Sequence, residues 1–252
     1  MVAIYSTFLQ RAFDQILHDV CLPNLPVVFA VDRAGIVGED GKTHQGVFDI
    51  GYFGLMPNMT LLAPRDAGAL ARMLRDAPSL GGPVAIRYPR SAAAYTESVI
   101  GDITVPEVVR QGCDVVMVAV GSMVGPALEA AGIVGEWGIS AGVIDPKVAA
   151  PVNCRAILEL ARGVRHFVTV EEHVVANGFG QSFASSLKVS GVSHARVHIL
   201  ALPSQFIPHG DRSAVLASHG LNAGGIAEAC RELVNGDASG QAVAIEVTSN
   251  PQ

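Results

Sequence analysis

Tyr5, Phe8 and Arg11 lie close together in the run Tyr5-Ser6-Thr7-Phe8-Leu9-Gln10-Arg11. Two aromatic rings beside a fixed cation can form a ring-sized slot. The plainer alternative is that Phe8 is core, Tyr5 ends a strand and Arg11 is a solvated helix charge. Two further arginines follow apolar runs, Arg33 after Pro26-Val27-Val28-Phe29-Ala30-Val31-Asp32 and Arg90 in Val84-Ala85-Ile86-Arg87-Tyr88-Pro89-Arg90. A guanidinium matches a phosphate bidentately, so a pair at strand ends suits an anionic ligand; surface charge is the alternative. His44 sits in a loop with Gly35, Gly38 and Gly41 that closes on Thr43-His44-Gln45-Gly46. It can exchange a proton near neutral pH, or simply be solvated.

The elements that must position these residues alternate. Val2-Ala3-Ile4-Tyr5 is a short strand feeding a helix with apolar positions at Leu9, Ala12, Phe13, Ile16, Leu17 and Val20. Ser6 or Thr7 is expected to cap that helix, and Pro23 to stop it. A strand leading straight into a helix puts the turn at the carboxyl edge of a sheet, where open α/β folds bind ligands. The continuous apolar runs 26–32, 59–64 and 84–90 suit parallel strands covered on both faces. Phe48 to Met56 reads as a short helix, and Asp66 caps another that carries Leu70, Met73 and Leu74. Arg33, His44 and Arg90 then gather at one sheet edge.

A further alternation begins at Asp114, with strands at 115–120, 141–145, 166–172 and 197–202 and a helix capped by Asn153. Two helices follow the last strand. The fold class is therefore α/β with two parallel-sheet domains. The expected division is a first domain over 1–95, a linker over 96–110, a second domain over 111–236 and a loose tail over 237–252. Gly178-Phe179-Gly180 lacks the third glycine and the acidic partner of a dinucleotide fingerprint, and a helix is expected from about Gln181. Glu171 and Glu172 end a strand and face opposite ways, so they cannot share one proton; loop hydrogen bonds or solvent exposure are expected. Phe206-Ile207-Pro208-His209-Gly210 reads as a packing or interface turn.

Of 252 residues 50% are hydrophobic and 16% charged, which is a core-rich globular composition. The net charge of −6 gives a nucleic-acid role no electrostatic support. Cys21, Cys113, Cys154 and Cys230 have no metal-ligand spacing and are expected to be buried free thiols, so no metal site is assigned and a reducing compartment fits. The first residues do not read as a signal peptide and no stretch reads as long and apolar enough for a bilayer, so no membrane role is expected and the location is expected to be cytoplasmic.

Three segments together carry a resemblance: 5–15, Asp32-Arg33-Ala34-Gly35 with Thr43-His44-Gln45-Gly46, and Arg87-Tyr88-Pro89-Arg90. They resemble the 1-deoxy-D-xylulose-5-phosphate synthases, in the transketolase-like thiamine diphosphate group. The first half resembles a truncated pyrimidine-binding domain of that group. The latter half is similar to its carboxyl-terminal domain, through Thr169-Val170-Glu171-Glu172 and Leu202-Pro203 with Phe206-Ile207. The resemblance implies that Tyr5, Phe8 and Arg11 line the aminopyrimidine site, with Phe8 stacking on the ring. It implies that Arg33 and Arg90 grip the phosphate of glyceraldehyde 3-phosphate, and that His44, with Asp40 close by, contacts the reacting groups. The implied reaction decarboxylates pyruvate and joins the two-carbon unit to glyceraldehyde 3-phosphate, toward isoprenoid, thiamine and pyridoxal precursors. Ser91 departs from the family's usual glycine.

The resemblance further implies an amino-terminal domain that holds the diphosphate and its Mg2+, and an activating glutamate upstream of Tyr5. Neither is found in these residues, whose first glutamate is Glu39. The chain begins abruptly inside a strand. It is therefore expected to be inactive alone, and to act as a homodimer or beside a diphosphate-binding chain. A beta-type subunit of a two-chain 2-oxo-acid dehydrogenase and a non-catalytic dimerisation module are the alternatives.

Overall fold

The runs of Val, Ile, Ala and Leu picked out above become short, fully covered strands. The computed structural model describes residues 1–91, 101–192 and 195–236, with the backbone of 246–247. The first sheet contains β1 (Val2–Tyr5), β2 (Val28–Asp32), β3 (Thr60–Leu62) and β4 (Val84–Arg87). The other sheet contains β5 (Glu107–Arg110), β6 (Val115–Ala119), β7 (Ala141–Asp145), β9 (His166–Val174), β10 (Arg196–Leu202) and β11 (Glu246–Val247). Strand β8 (Val148–Ala150) lies in the latter half of the sequence yet pairs antiparallel with β3, giving the first sheet the order β1-β2-β4-β3-β8. The other sheet runs β11-β10-β9-β6-β7-β5, parallel except where β5 meets β7. Two mixed, mainly parallel α/β sheets are thus the architecture that the alternating pattern implies.

The helices α1 (Ser6–Leu9), α2 (Phe13–Gln15), α3 (Asp49–Gly54), α4 (Ala67–Asp76), α5 (Val124–Glu136), α6 (Cys154–Leu160), α7 (Phe179–Val189), α8 (Arg212–Ser218) and α9 (Ala223–Gly236) cover these sheets. Asp66 and Asn153 cap α4 and α6 by accepting from Ala69 N and Ala156 N, as expected. One buried cluster joins Leu9, Phe29, Phe53 and Leu61 to Ile144, Ile157, Phe167, Phe179 and Phe183, so the two sheets share a core. Burying each such side chain contributes roughly 1.5–3 kcal/mol.

Several local expectations change. Neither Ser6 nor Thr7 caps the first helix; Tyr5 stands at its N-cap without a side-chain bond. The strand runs directly into the helix, so both residues are already helical. Thr7 Oγ1 donates instead to Thr43 O (2.8 Å), and Ser6 O accepts from Tyr52 Oη (3.3 Å). Helix α7 begins at Phe179, two residues before the expected Gln181. The Glu171 carboxylate caps it from the adjoining strand, accepting from Phe179 N and Gly180 N at 2.7 Å each. A Cβ on Gly178 would lie 2.6 Å from Glu171 Oε2, which accounts for that glycine. Cys113 is exposed, whereas the other three cysteines are buried. Residues 92–100, which include part of the expected linker, and most of the expected tail lie outside the described residues, although Glu246–Val247 pairs with β10.

Candidate functional site

The tips of β1, β2 and β4 place the aromatic and cationic side chains on one rim. Tyr5 ends β1, and its ring stacks on Phe8 with centroids 5.4 Å apart and planes 22° apart. Phe8 meets His44 edge-on at 5.6 Å and remains 39% exposed, so the ring pair offers an open apolar face. Arg33 follows β2 in a left-handed conformation (φ 58°), which is unusual for a residue with a side chain. That turn lays its guanidinium over the Tyr5 ring, 3.9 Å from the centroid.

Asp40 connects the two arginines. Its Oδ2 accepts from Arg33 Nη1 at 3.2 Å and from Arg90 Nη1 at 3.0 Å. Two guanidiniums on one carboxylate oxygen form a ready anion seat, held here by a side chain of the protein itself. Arg33 Nε is buried without a hydrogen bond and stands 3.9 Å from Asp32 Oδ2. His44 Nδ1 lies 3.0 Å from Thr43 Oγ1. Tyr5, Phe8, Arg33, Asp40, His44 and Arg90 are therefore linked through ring contacts and ion pairs. Arg11 is exposed on the turn Gln10–Ala12 and makes no ion pair among the described residues, so the contacts that join the other six do not include it.

The loop that carries Asp40 and His44 is held by a backbone bridge between Gly35 and Gly46, with N···O distances of 2.7 and 2.8 Å. Gly46 leaves no room for a side chain, because a Cβ there would overlap the Arg33 carbonyl oxygen.

The larger surprise lies beneath this rim. Glu171 and Glu172 do take different partners, but both are fully buried, not solvated. Beside them, His173 Nε2 accepts from Gly51 N (3.1 Å), which puts the proton on Nδ1, facing Val174 O at 2.6 Å. Burial holds the imidazole below its usual range, and hence neutral. Arg87, expected only as part of a cationic strand end, is buried and pairs with buried Asp49 through Nε at 3.2 and 3.1 Å. Its one legible signal is position: as the last residue of a strand covered on both faces it cannot reach water without a partner.

Burial pushes the Glu171 carboxyl up to about 7, against the pull of its two backbone N–H partners. Because the folded value lies above the ordinary 4.5, protonation favours the folded form; this contribution is complete below 4.5 and is lost as pH rises through about 7. We expect Glu171→Gln, which stays neutral, to gain stability relative to the parent across that interval in denaturant titrations at successive pH values. A constant difference between the two proteins would refute the assignment.

Among the described residues no group of three His, Cys, Asp or Glu side chains is placed to hold a metal ion. The Tyr5–Phe8 stack is open on one side and is bordered by His44. No helix among the described residues is long and apolar enough to cross a membrane.

Comparison with known proteins places the fold. Residues 1–95 match the transketolase pyrimidine binding domain, and residues 106–226 match the transketolase C-terminal domain. A solved structure described as a split gene transketolase, inactive beta4 tetramer, superposes with a TM-score of 0.83 at 30% identity, over 92% of this chain and 75% of that one. The chain belongs to the transketolase family. Among its curated relatives are 1-deoxy-D-xylulose-5-phosphate synthases. That of Heliobacterium modesticaldum is 45% identical over 243 residues, which is 95% of this chain and 37% of the relative. That of Pelotomaculum thermopropionicum is 48% identical over 225 residues, covering 88% and 35%. The chain thus spans little more than a third of the length of these curated relatives.

Proposed function

We propose that this chain builds the pyrimidine-facing and phosphate-facing wall of a 1-deoxy-D-xylulose-5-phosphate synthase site. That site decarboxylates pyruvate and joins the two-carbon unit to glyceraldehyde 3-phosphate. The observation that carries the reading is the convergence of Arg33 and Arg90, from two strand tips, on one oxygen of Asp40 beside the Phe8–His44 ring pair.

Each residue then has a part set by its chemistry. The exposed Phe8 face, backed by Tyr5, takes the aminopyrimidine, and stacking there is worth about 0.5–1.5 kcal/mol beyond burial. Arg11, exposed on the turn Gln10–Ala12 that follows α1, would contact the cofactor's outer edge. Thiamine diphosphate, when bound, supplies the means to stabilise negative charge on the transferred carbons. Arg33 and Arg90 exchange Asp40 for the phosphate of the aldehyde substrate, which orients its carbonyl. His44, with Nδ1 beside Thr43 Oγ1, has Nε2 free among the described residues to hold or pass a proton at the substrate oxygens. Asp40 lies close enough to the arginines to reclaim them when the phosphate leaves.

The diphosphate and its Mg2+ fall to a domain other than the two matched here, and the activating glutamate to a position upstream of Tyr5. The likeness to a split gene transketolase, itself described as inactive as a beta4 tetramer, supports a requirement for such a complement. An assembly of these chains with a diphosphate-binding part, in the cytoplasm, fits the reading.

Calorimetric titration of the purified chain tests it. Glyceraldehyde 3-phosphate should bind and unphosphorylated glyceraldehyde should not. Arg33→Met and Arg90→Met should each weaken binding about tenfold or more, as for loss of a charge-assisted hydrogen bond. The chain with thiamine diphosphate and Mg2+ should leave pyruvate unchanged until both a diphosphate-binding domain and the activating glutamate are supplied. Equal binding of glyceraldehyde and its phosphate, or pyruvate turnover by the chain alone, would overturn the reading.

A further inference from the structure

The loop that bears Asp40 and His44 is held by more than its own Gly35–Gly46 bridge. Several hydrogen bonds fasten it to the carboxyl-terminal domain. Glu172, on β9, accepts from Ile36 N at 2.6 Å. Arg212, at the start of α8, donates from Nε to Ile36 O at 3.0 Å and from Nη2 to Glu172 Oε2 at 2.6 Å. Gln45 accepts from Val37 N at 2.8 Å and donates to Pro208 O at 3.1 Å. Gly210 N donates to Gly38 O (3.3 Å), and Val174 N to Val47 O (3.1 Å).

Glu172 and Arg212 form the centre of this arrangement. Together they satisfy both backbone polar groups of Ile36, N–H and C=O, at a residue that is itself fully buried. Ser122 Oγ adds a third donor to Glu172 at 3.1 Å, so the buried carboxylate has a cation and two neutral donors. The sequence has made room for it: a Cβ on Gly35 (φ 82°) would overlap the Glu172 carboxyl carbon. The carboxylate occupies the volume that any side chain at position 35 would need. Arg33 lies just before Gly35, and Asp40 follows shortly after Ile36.

We infer that Glu172 and Arg212 are positioning residues for the candidate site: the carboxyl-terminal domain sets the place of Arg33, Asp40 and His44 through this clasp on Ile36. The inference rests on reading the rim as a phosphate and cofactor wall, and it assigns the carboxyl-terminal domain a direct part in that wall's geometry. Neither residue touches a ligand. Each acts through the loop backbone, which is rigid only while its buried N–H and C=O are held.

The test uses the full chain and two readouts. Amide hydrogen exchange reports the loop, and calorimetry with glyceraldehyde 3-phosphate reports the rim. In Arg212→Met we expect the amides of residues 36–46 to exchange about tenfold faster or more, while β6 and α5 keep their protection. Affinity for glyceraldehyde 3-phosphate should fall about tenfold in parallel, and Arg212→Lys should recover part of both. Glu172→Gln keeps an acceptor for Ile36 N but loses the charge; it should give a smaller rise confined to the same amides, and it carries the test if Arg212→Met does not fold. Unchanged loop exchange in these variants would overturn the inference. So would a rise shared equally by β6 and α5, which marks plain destabilisation. Failure of the parent chain to bind glyceraldehyde 3-phosphate counts against the phosphate reading of the rim, and the exchange measurement then decides the clasp by itself.

Discussion

Asp49→Ala should cost this protein about 3–5 kcal/mol of stability, the range for removing one partner of a buried ion pair. Arg87 ends strand β4 with its side chain 5% exposed, and Asp49 is fully buried. The carboxylate receives Arg87 Nε on both oxygens, and Arg87 Nη2 donates to Glu172 O at 3.1 Å. Without Asp49 the guanidinium stays trapped between the two sheets with one neutral acceptor. Since whole domains are stable by only about 5–15 kcal/mol, the loss is a large share of the total and should move the unfolding midpoint markedly. The double replacement Asp49→Leu with Arg87→Met should regain most of the loss, because the charge and its partner leave together. Urea unfolding of the three proteins decides the matter. A loss below about 1 kcal/mol for Asp49→Ala would mean that water reaches the pair.

Gly46→Ala is expected to have the largest effect on the site. The added methyl would overlap the Arg33 carbonyl oxygen and approach Ser6 Cβ and Oγ at 2.9 Å each. Backbone cannot step aside as a flexible side chain does, so the Gly35–Gly46 bridge must open. Arg33 leaves its place over Tyr5, and His44 moves with the loop. The overpacking itself costs about 1–3 kcal/mol. Displacing binding groups by about 1 Å is enough to lose about a hundredfold in a positioned site, and affinity for glyceraldehyde 3-phosphate should fall on that scale. Gly132→Ala is the control, since nothing lies within 4 Å of its added Cβ. If Gly46→Ala binds the ligand as the parent does, the loop is not a rigid frame for the rim.

These residues also mark the limit of what local sequence patterns reveal. The strands were legible because unbroken runs such as Val28-Phe29-Ala30-Val31 and Val115-Val116-Met117-Val118 can be satisfied only inside a covered sheet. The caps at Asp66 and Asn153 were legible because capping is local. The cap of α7 was not, because its acceptor, Glu171, comes from a neighbouring strand. The same holds for Asp49 with Arg87, 38 positions apart, and for Ile36 with Glu172, 136 positions apart. No spacing rule joins residues at such distances, and a charged side chain reads as surface until its partner is seen.

By itself the chain's order of residues determined two alternating α/β halves, a family, and a rim at which Tyr5, Phe8, Arg33, His44 and Arg90 stand at or near strand ends. Periodicity, turn chemistry and short motifs act over a few residues, and these features depend on nothing longer. The folded chain alone decided that Asp40 bridges the two arginines, that Arg11 takes no part in those contacts, and that β8 and the buried Glu172–Arg212 pair join the carboxyl-terminal domain to the first. Those outcomes depend on which buried charges can find each other once both sheets are in place, because a charge excluded from water must be paired wherever in the sequence its partner lies.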